Sequence, residues 1–207
     1  MPSFETILLV TVAGLALSAS PGPSMLYILS RSVGQSRSAG LVSAAGLATG
    51  GFVHVLLAAF GLAALFAYSP ALYSTVKLLG AAYLIYLGID TLRSSEPEPE
   101  GLQAVNMDPL SRIYWQGVLV EVLNPKTMLF FVAFLPQFVD AATGSVTGQM
   151  FILGLLVPLT AMPSDLIVAF GGGTVAAKLS SNRSMSTALK WASALILIGL
   201  GLNILWS

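Results

Sequence analysis

The chain has 207 residues, 56% hydrophobic and 9% charged, and its mean hydropathy is +0.85. A soluble domain carries about 25% charged residues, so this sequence has too little polar surface to coat a water-soluble globule and reads as an integral membrane protein. Zero net charge with no basic run leaves no footprint for nucleic acid; the absence of cysteine removes disulfides and thiolate metal sites, and a single histidine removes a multi-histidine metal centre.

A membrane-spanning helix needs about 20 mainly apolar residues. The apolar runs here are continuous rather than alternating, which favours helices over a barrel. Six spans are predicted, over 4–30, 39–67, 70–92, 110–139, 149–175 and 187–206. The first is apolar from Ile7, and the first basic residue is Arg31. A cleaved secretory signal has a positively charged start, so this segment is predicted to be a retained span. It is interrupted by "SPGP", Ser20-Pro21-Gly22-Pro23. Proline removes a backbone donor and clashes with the preceding turn, so the helix should break there.

The second span contains "GLATGGFVHVLLAAFGL" (46–62). Gly46 and Gly50 have the small-xxx-small spacing that lets helices approach closely. His54 is a candidate for proton relay, substrate binding or a hydrogen bond across helices. In the third span, "LGAAYLIYLG" (79–88) reads as a packing face. The stretch 94–109, "SSEPEPEGLQAVNMDP", is acidic and proline-rich and reads as a solvated loop. It divides a single transporter domain, 1–207, into halves of three spans, about 1–93 and 110–207.

The fourth span, "VEVLNPKTMLFFVAFLPQF" (120–138), breaks again at Asn124-Pro125-Lys126. It carries Glu121, either a carboxylate lining a substrate or proton site or an interfacial group neutralised by Arg112 or Lys126. In the fifth span, Asp165 follows Pro158 and Pro163, far in sequence from any basic residue. An intramembrane carboxylate is a functional candidate, here for carrying a proton. "PSDL" also resembles a helix start, so Asp165 could instead cap a helix restarting after Pro163. Gly171-Gly172-Gly173 is not a nucleotide loop, since no G-x-x-x-x-G-K follows, and reads as a flexible or closely packed end of the span. No H-E-x-x-H or G-x-S-x-G occurs, so no enzyme is expected.

The chain also resembles itself. Residues 76–94 lie over 189–207 without a gap, with eight identities in nineteen positions, among them Lys77/Lys190, Gly88/Gly201 and Ser94/Ser207. Pro21 and Pro125 break spans one and four at a similar depth. A three-span unit repeated once must appear in opposite orientations. Inverted repeats with paired broken helices point to a secondary transporter with its site near the midplane. A broken helix exposes free N–H groups at one stump and free carbonyls at the other, tolerated in a membrane only when they line a cavity or are buried in protein. Two opposed breaks could hold a zwitterion, its carboxylate at an N-terminal stump and its ammonium at a carbonyl end. Ser20 and Asn124 could bind substrate or satisfy freed backbone.

Basic residues set orientation. Arg31, Arg37, Arg93, Arg112, Lys178, Arg183 and Lys190 fall on one side of a six-span arrangement, with Lys77 a mild dissent. Both termini are predicted to lie outside.

"SPGPSMLYILSRSVGQSRSAGLVSAAGLATGGFVH" (20–54), "VKLLGAAYLIYLGIDTLRS" (76–94) and "NPKTMLFFVAFLPQFV" (124–139) together resemble the LysE/RhtB-type family of bacterial amino-acid exporters. The resemblance covers nearly the whole chain, most weakly at the acidic loop and after Gly173. It implies six helices in the cytoplasmic membrane, export of amino acids or their derivatives, coupling to the proton motive force and dimerisation. Its motif positions here are Ser20, Pro21, Gly22, Pro23, Asn124, Pro125 and Lys126, and Asp165 matches an acidic position of the family's fifth helix. Glu121 departs from the pattern, standing where relatives commonly carry asparagine.

The expectation is therefore an all-α exporter of a small zwitterionic or cationic solute. Substrate would bind at the two breaks and His54, and protons at Asp165 and Glu121. No cofactor or metal is expected. A passive channel, or an exporter of another small solute or ion, is the alternative.

Overall fold

A computed structural model describes residues 2–19, 22–62, 70–93, 107–181 and 183–206. Ser20, Pro21 and most of the acidic loop lie outside the described residues.

Helix α1, Phe4–Ala19, starts where Ser3 Oγ accepts the Thr6 N–H at 3.1 Å. Helix α2, Pro23–Gly34, restarts with proline in its first turn, where the missing N–H costs nothing. Helix α3, Arg37–Leu56, is capped by Ser36, whose side chain accepts the Ala39 N–H at 3.1 Å, and runs on as a wider π-helical segment to Leu62. Helix α4 spans Pro70–Arg93 and α5 spans Leu110–Val122. Helix α6, Pro125–Leu129, continues through a π turn, Phe130–Phe134, and a 3-10 turn, Leu135–Phe138. Helix α7 is Val146–Ser181 and α8 is Arg183–Trp206.

By length and composition, 37–61 and 146–172 can each cross a membrane alone. Among the described residues, two bent pairs raise the candidate spans to as many as four: α1 with α2, inclined at 51°, and α5 with 125–138, inclined at 43°. Both bends fall at the predicted proline motifs.

Of the two readings of Asp165, the structure removes the helix cap. Pro158 and Pro163 both lie inside α7, which continues without a restart. Asp165 is therefore an interior residue and not the cap of a new helix. Membrane helices tolerate such prolines because neighbouring groups take up the freed backbone. Gly172 is also interior to α7, and it is closely packed: a Cβ there would lie 2.7 Å from Ser32 Oγ.

Lipid gives helices no hydrophobic reason to associate, so close backbone approach matters more. Helices α3 and α5 pack through Gly46, Gly50 and Gly117. A Cβ on Gly50 would stand 2.8 Å from the Val118 carbonyl, and one on Gly117 would stand 2.9 Å from the Ser43 carbonyl. Helices α2, α3 and α7 meet at Ser32, between Gly40 and Gly172, where Ser32 Oγ donates to the Ala169 carbonyl at 2.6 Å. Helices α4 and α8 pack reciprocally. Gly88 faces Ile198 and the Ala194 carbonyl, and Gly201 faces Ile85 and the Ala81 carbonyl. These six positions stand in the same gapless register that relates 76–94 to 189–207.

The main core gathers Phe130, Phe131, Phe134 and Leu135 with Val10, Leu17, Val55, Met150, Leu153 and Leu197. It places the segment after the second break in the middle of the protein. Phe60, Ile167, Phe170 and Trp191 are exposed, as side chains facing lipid would be.

Candidate functional site

At each break a proline takes the helical donor from a particular carbonyl. A carbonyl in an α-helix accepts from the N–H four residues on. For Leu17 that residue is Pro21, and for Glu121 it is Pro125, and neither proline has an N–H. A donor from the other half of the chain reaches each of these carbonyls. Lys126 Nζ donates to the Leu17 carbonyl at 2.7 Å. His54 Nε2 lies 2.9 Å from the Glu121 carbonyl oxygen. A carbonyl can only accept, so Nε2 carries the proton. The imidazole is buried and stacks on Phe131, with ring centroids 5.6 Å apart. The Glu121 carbonyl also accepts the Asn124 N–H at 3.0 Å.

The helices that restart after the breaks are built alike. Gly22 is the extended residue before Pro23, and Asn124 is the extended residue before Pro125. Asn124 Oδ1 accepts the Lys126 backbone N–H at 3.0 Å, a standard N-cap bond. Its amide Nδ2 donates to Ser24 Oγ at 2.9 Å, and Ser24 Oγ donates onward to Glu121 Oε2. A polar chain, Asn124–Ser24–Glu121, thus joins α2 to both sides of the second break.

These groups share one cavity of about 70 Å³, several times the roughly 10–15 Å³ that a single water needs. Gly22, Ser24, Glu121, Asn124, Lys126 and Asp165 supply its polar lining. Leu17, Met25, Leu47, Phe131 and Val157 supply apolar wall. Of the residues singled out from sequence, the cavity lining includes Gly22, Glu121, Asn124, Lys126 and Asp165. Pro23 and Pro125 start the helices whose N-termini reach it. His54 is not in the lining; it stands behind Phe131 and holds the second break. Ser20 and Pro21 lie outside the described residues. Arg112 does not neutralise Glu121, because it pairs with Asp108 at 3.1 Å.

A family model for LysE type translocators matches residues 15–207. The chain belongs to that family. A leucine efflux protein of Enterobacter sp. (strain 638) is 29% identical over 86% of this chain and 85% of its own length. Uncharacterised membrane proteins of Pseudomonas aeruginosa and Bacillus subtilis are 30% and 31% identical, covering 89% and 88% of this chain and 87% and 90% of their own lengths. No solved structure matches the chain. As a LysE type translocator the protein is a transporter and not an enzyme. At the level of the family it is an amino-acid exporter, a multi-pass protein of the bacterial inner membrane.

The translocator has a second polar cluster that the sequence reading missed. Arg31, read there only as a marker of orientation, is buried. Its Nη2 donates to Asp108 Oδ2 at 2.9 Å and to Gln116 Oε1 at 2.8 Å. Tyr27 Oη donates to the Ile113 carbonyl at 2.8 Å, and Gln35 Nε2 donates to the Asp108 carbonyl at 2.7 Å. Two side chains of α2 and that of Gln35, just past its end, are thereby fastened to the start of α5 and to Asp108 before it, across the divide between the halves. Ser24 was missed too, although it adjoins the "SPGP" motif. A serine one residue past a break carries no signal of its own; its role comes from Glu121, 97 residues away.

Proposed function

We propose that the protein exports small zwitterionic amino acids across the inner membrane by alternating access, driven by the proton motive force. The single observation that carries this reading is the meeting of both breaks, Glu121 and Asp165 in one cavity. Restarted helix α2 presents its partly positive N-terminus toward it, suited to a carboxylate. Glu121 and Asp165 offer places for an ammonium group or a proton. The apolar wall of Leu17, Met25, Leu47, Phe131 and Val157 suits an aliphatic side chain, and the named function of the Enterobacter relative makes leucine the first substrate to try.

Six spans in two inverted three-helix units, about 1–93 and 110–207, are the architecture we infer. The reciprocal packing of Gly88 and Gly201, the two similar bends and the two exchanged donors support it. The distribution of Arg and Lys supports both termini lying outside. The same reading takes Ser20 and Pro21 as part of the substrate site and allows a homodimer. Moving one elementary charge through 100 mV supplies about 2.3 kcal/mol, enough to hold a gradient of roughly fiftyfold.

The test is efflux from proteoliposomes loaded with mixed amino acids including leucine, with and without an imposed pH gradient, alongside Asp165→Asn. Leucine efflux that depends on the gradient and is lost in the variant is expected. Selective efflux indifferent to both would remove Asp165 from coupling. Efflux that neither saturates nor responds to protonation would mark a passive channel.

A further inference from the structure

The carbonyl end of the first break is occupied by the protein itself. Pro21 leaves the Leu17 carbonyl without its helical donor, and that carbonyl sits in the last turn of α1, where the helix dipole is negative. It is where a substrate ammonium group would be drawn. The ammonium of Lys126 is there instead, 2.7 Å from the oxygen. Leu17, Lys126 and Glu121 all line the same cavity, so a displaced Lys126 has a carboxylate within that cavity to turn to.

We propose that Lys126 is a specificity-determining residue, a tethered cation that competes with the substrate's ammonium group for the Leu17 carbonyl. The inference rests on the exporter reading of the cavity. Its consequence is a threshold for ligands. A molecule that brings only an ammonium group must displace Lys126 with nothing further gained. One that also brings a carboxylate gains the α2 N-terminus as well. Lys126 therefore selects zwitterions over simple amines. The two exchanged donors differ in this respect. His54 holds the Glu121 carbonyl from behind Phe131, away from the cavity lining, and so acts as a fixed support, whereas Lys126 lines the cavity and can be displaced.

Two fragments of leucine separate the possibilities. Isoamylamine keeps the ammonium and lacks the carboxylate, and 4-methylpentanoate keeps the carboxylate and lacks the ammonium. Their binding, and that of leucine, is measured by calorimetry on the purified full-length protein, on Lys126→Gln and on Lys126→Arg. Removing the tethered cation frees a charge-assisted acceptor, so Lys126→Gln is expected to bind isoamylamine about tenfold or more tightly than the native protein does. Affinity for 4-methylpentanoate should not rise with it, and Lys126→Arg, which keeps a tethered cation, should show no such gain for isoamylamine.

Unchanged amine binding with weakened 4-methylpentanoate binding would assign Lys126 to the substrate carboxylate and overturn the proposal. Equal loss of both fragments would make Lys126 a structural strut and also overturn it, as would isoamylamine binding to neither native protein nor Lys126→Gln. The ε-ammonium resonance of Lys126 in ¹⁵N-labelled native protein gives a readout independent of leucine. It should shift when isoamylamine is added. A shift without leucine binding would refute leucine as the substrate and leave the role of Lys126 standing. An unmoved resonance at saturating amine would refute the displacement itself.

Discussion

Gly50→Ala should part α3 from α5 and drag Glu121 out of place. The added Cβ would lie 2.8 Å from the Val118 carbonyl and 2.6 Å from Glu121 Cβ, where ordinary contact begins at 3.4 Å. The spacing is thus short by about 0.6 and 0.8 Å. One obstacle is backbone and the other is a Cβ, so no rotamer change relieves either. Over-packing of this kind costs about 1–3 kcal/mol. Alanine in place of glycine also favours a helix by up to about 1 kcal/mol, which would mask part of the loss. Gly199→Ala supplies the correction, because a Cβ at Gly199 in α8 meets nothing within 4 Å. The difference between the two variants isolates the clash. Unfolding in mixed micelles with increasing sodium dodecyl sulfate, followed by far-UV circular dichroism, should place Gly50→Ala about 1–3 kcal/mol below Gly199→Ala. Leucine efflux should fall in Gly50→Ala alone, since Glu121 lies directly against Gly50 and carries the bond from Ser24. Equal stabilities, to within about 0.5 kcal/mol, would refute the close packing of α3 on α5.

Other perturbations test the neighbouring contacts. Arg31→Leu removes one donor from Asp108 and one from Gln116, and loss of one partner from a buried pair costs about 3–5 kcal/mol, reduced here to about 2–3 because Asp108 keeps Arg112 and Gln116 keeps Tyr27. The double variant Arg31→Leu/Asp108→Leu should recover part of that loss in the same micelle titration; a double variant less stable than Arg31→Leu would contradict the pairing. Asn124→Ala removes both the cap of α6 and the donor to Ser24, and should destabilise by about 1 kcal/mol. Asn124→Ser caps equally well but cannot reproduce the amide donor, so it should keep stability within a few tenths of a kcal/mol while efflux falls. Unchanged efflux in Asn124→Ser would show that the Asn124–Ser24–Glu121 chain does not order the cavity.

The sequence was most informative where chemistry is local. Two prolines, two missing N–H groups and long apolar runs are properties of adjacent residues, and the bends at 22–23 and 124–125 follow from them. The glycine spacing of α3 announced a close approach without naming the partner, α5. Asp165 shows the limit of such reasoning. Two prolines on its N-terminal side allowed a restart, yet α7 continues through both, and Asp165 lines the cavity from an unbroken helix. The pairing of Arg31 was hidden for a similar reason. A basic residue just past a span looks like an orientation marker, and its partner Asp108 is 77 residues away beyond the acidic loop.

The freed carbonyls themselves were legible, because a proline four residues on fixes which oxygen loses its donor. What fills them was not. Lys126 reaches Leu17 across 109 residues, and His54 reaches Glu121 across 67. No periodicity encodes such distances. Each half nonetheless supplies a donor to the break in the other, so each break gains a bond only when both halves are docked. That mutual dependence makes the two bonds natural points for motion between the halves to act on. Of the two, the one made by Lys126 has its donor and its acceptor residue both facing the cavity, where a ligand's own charge can replace it.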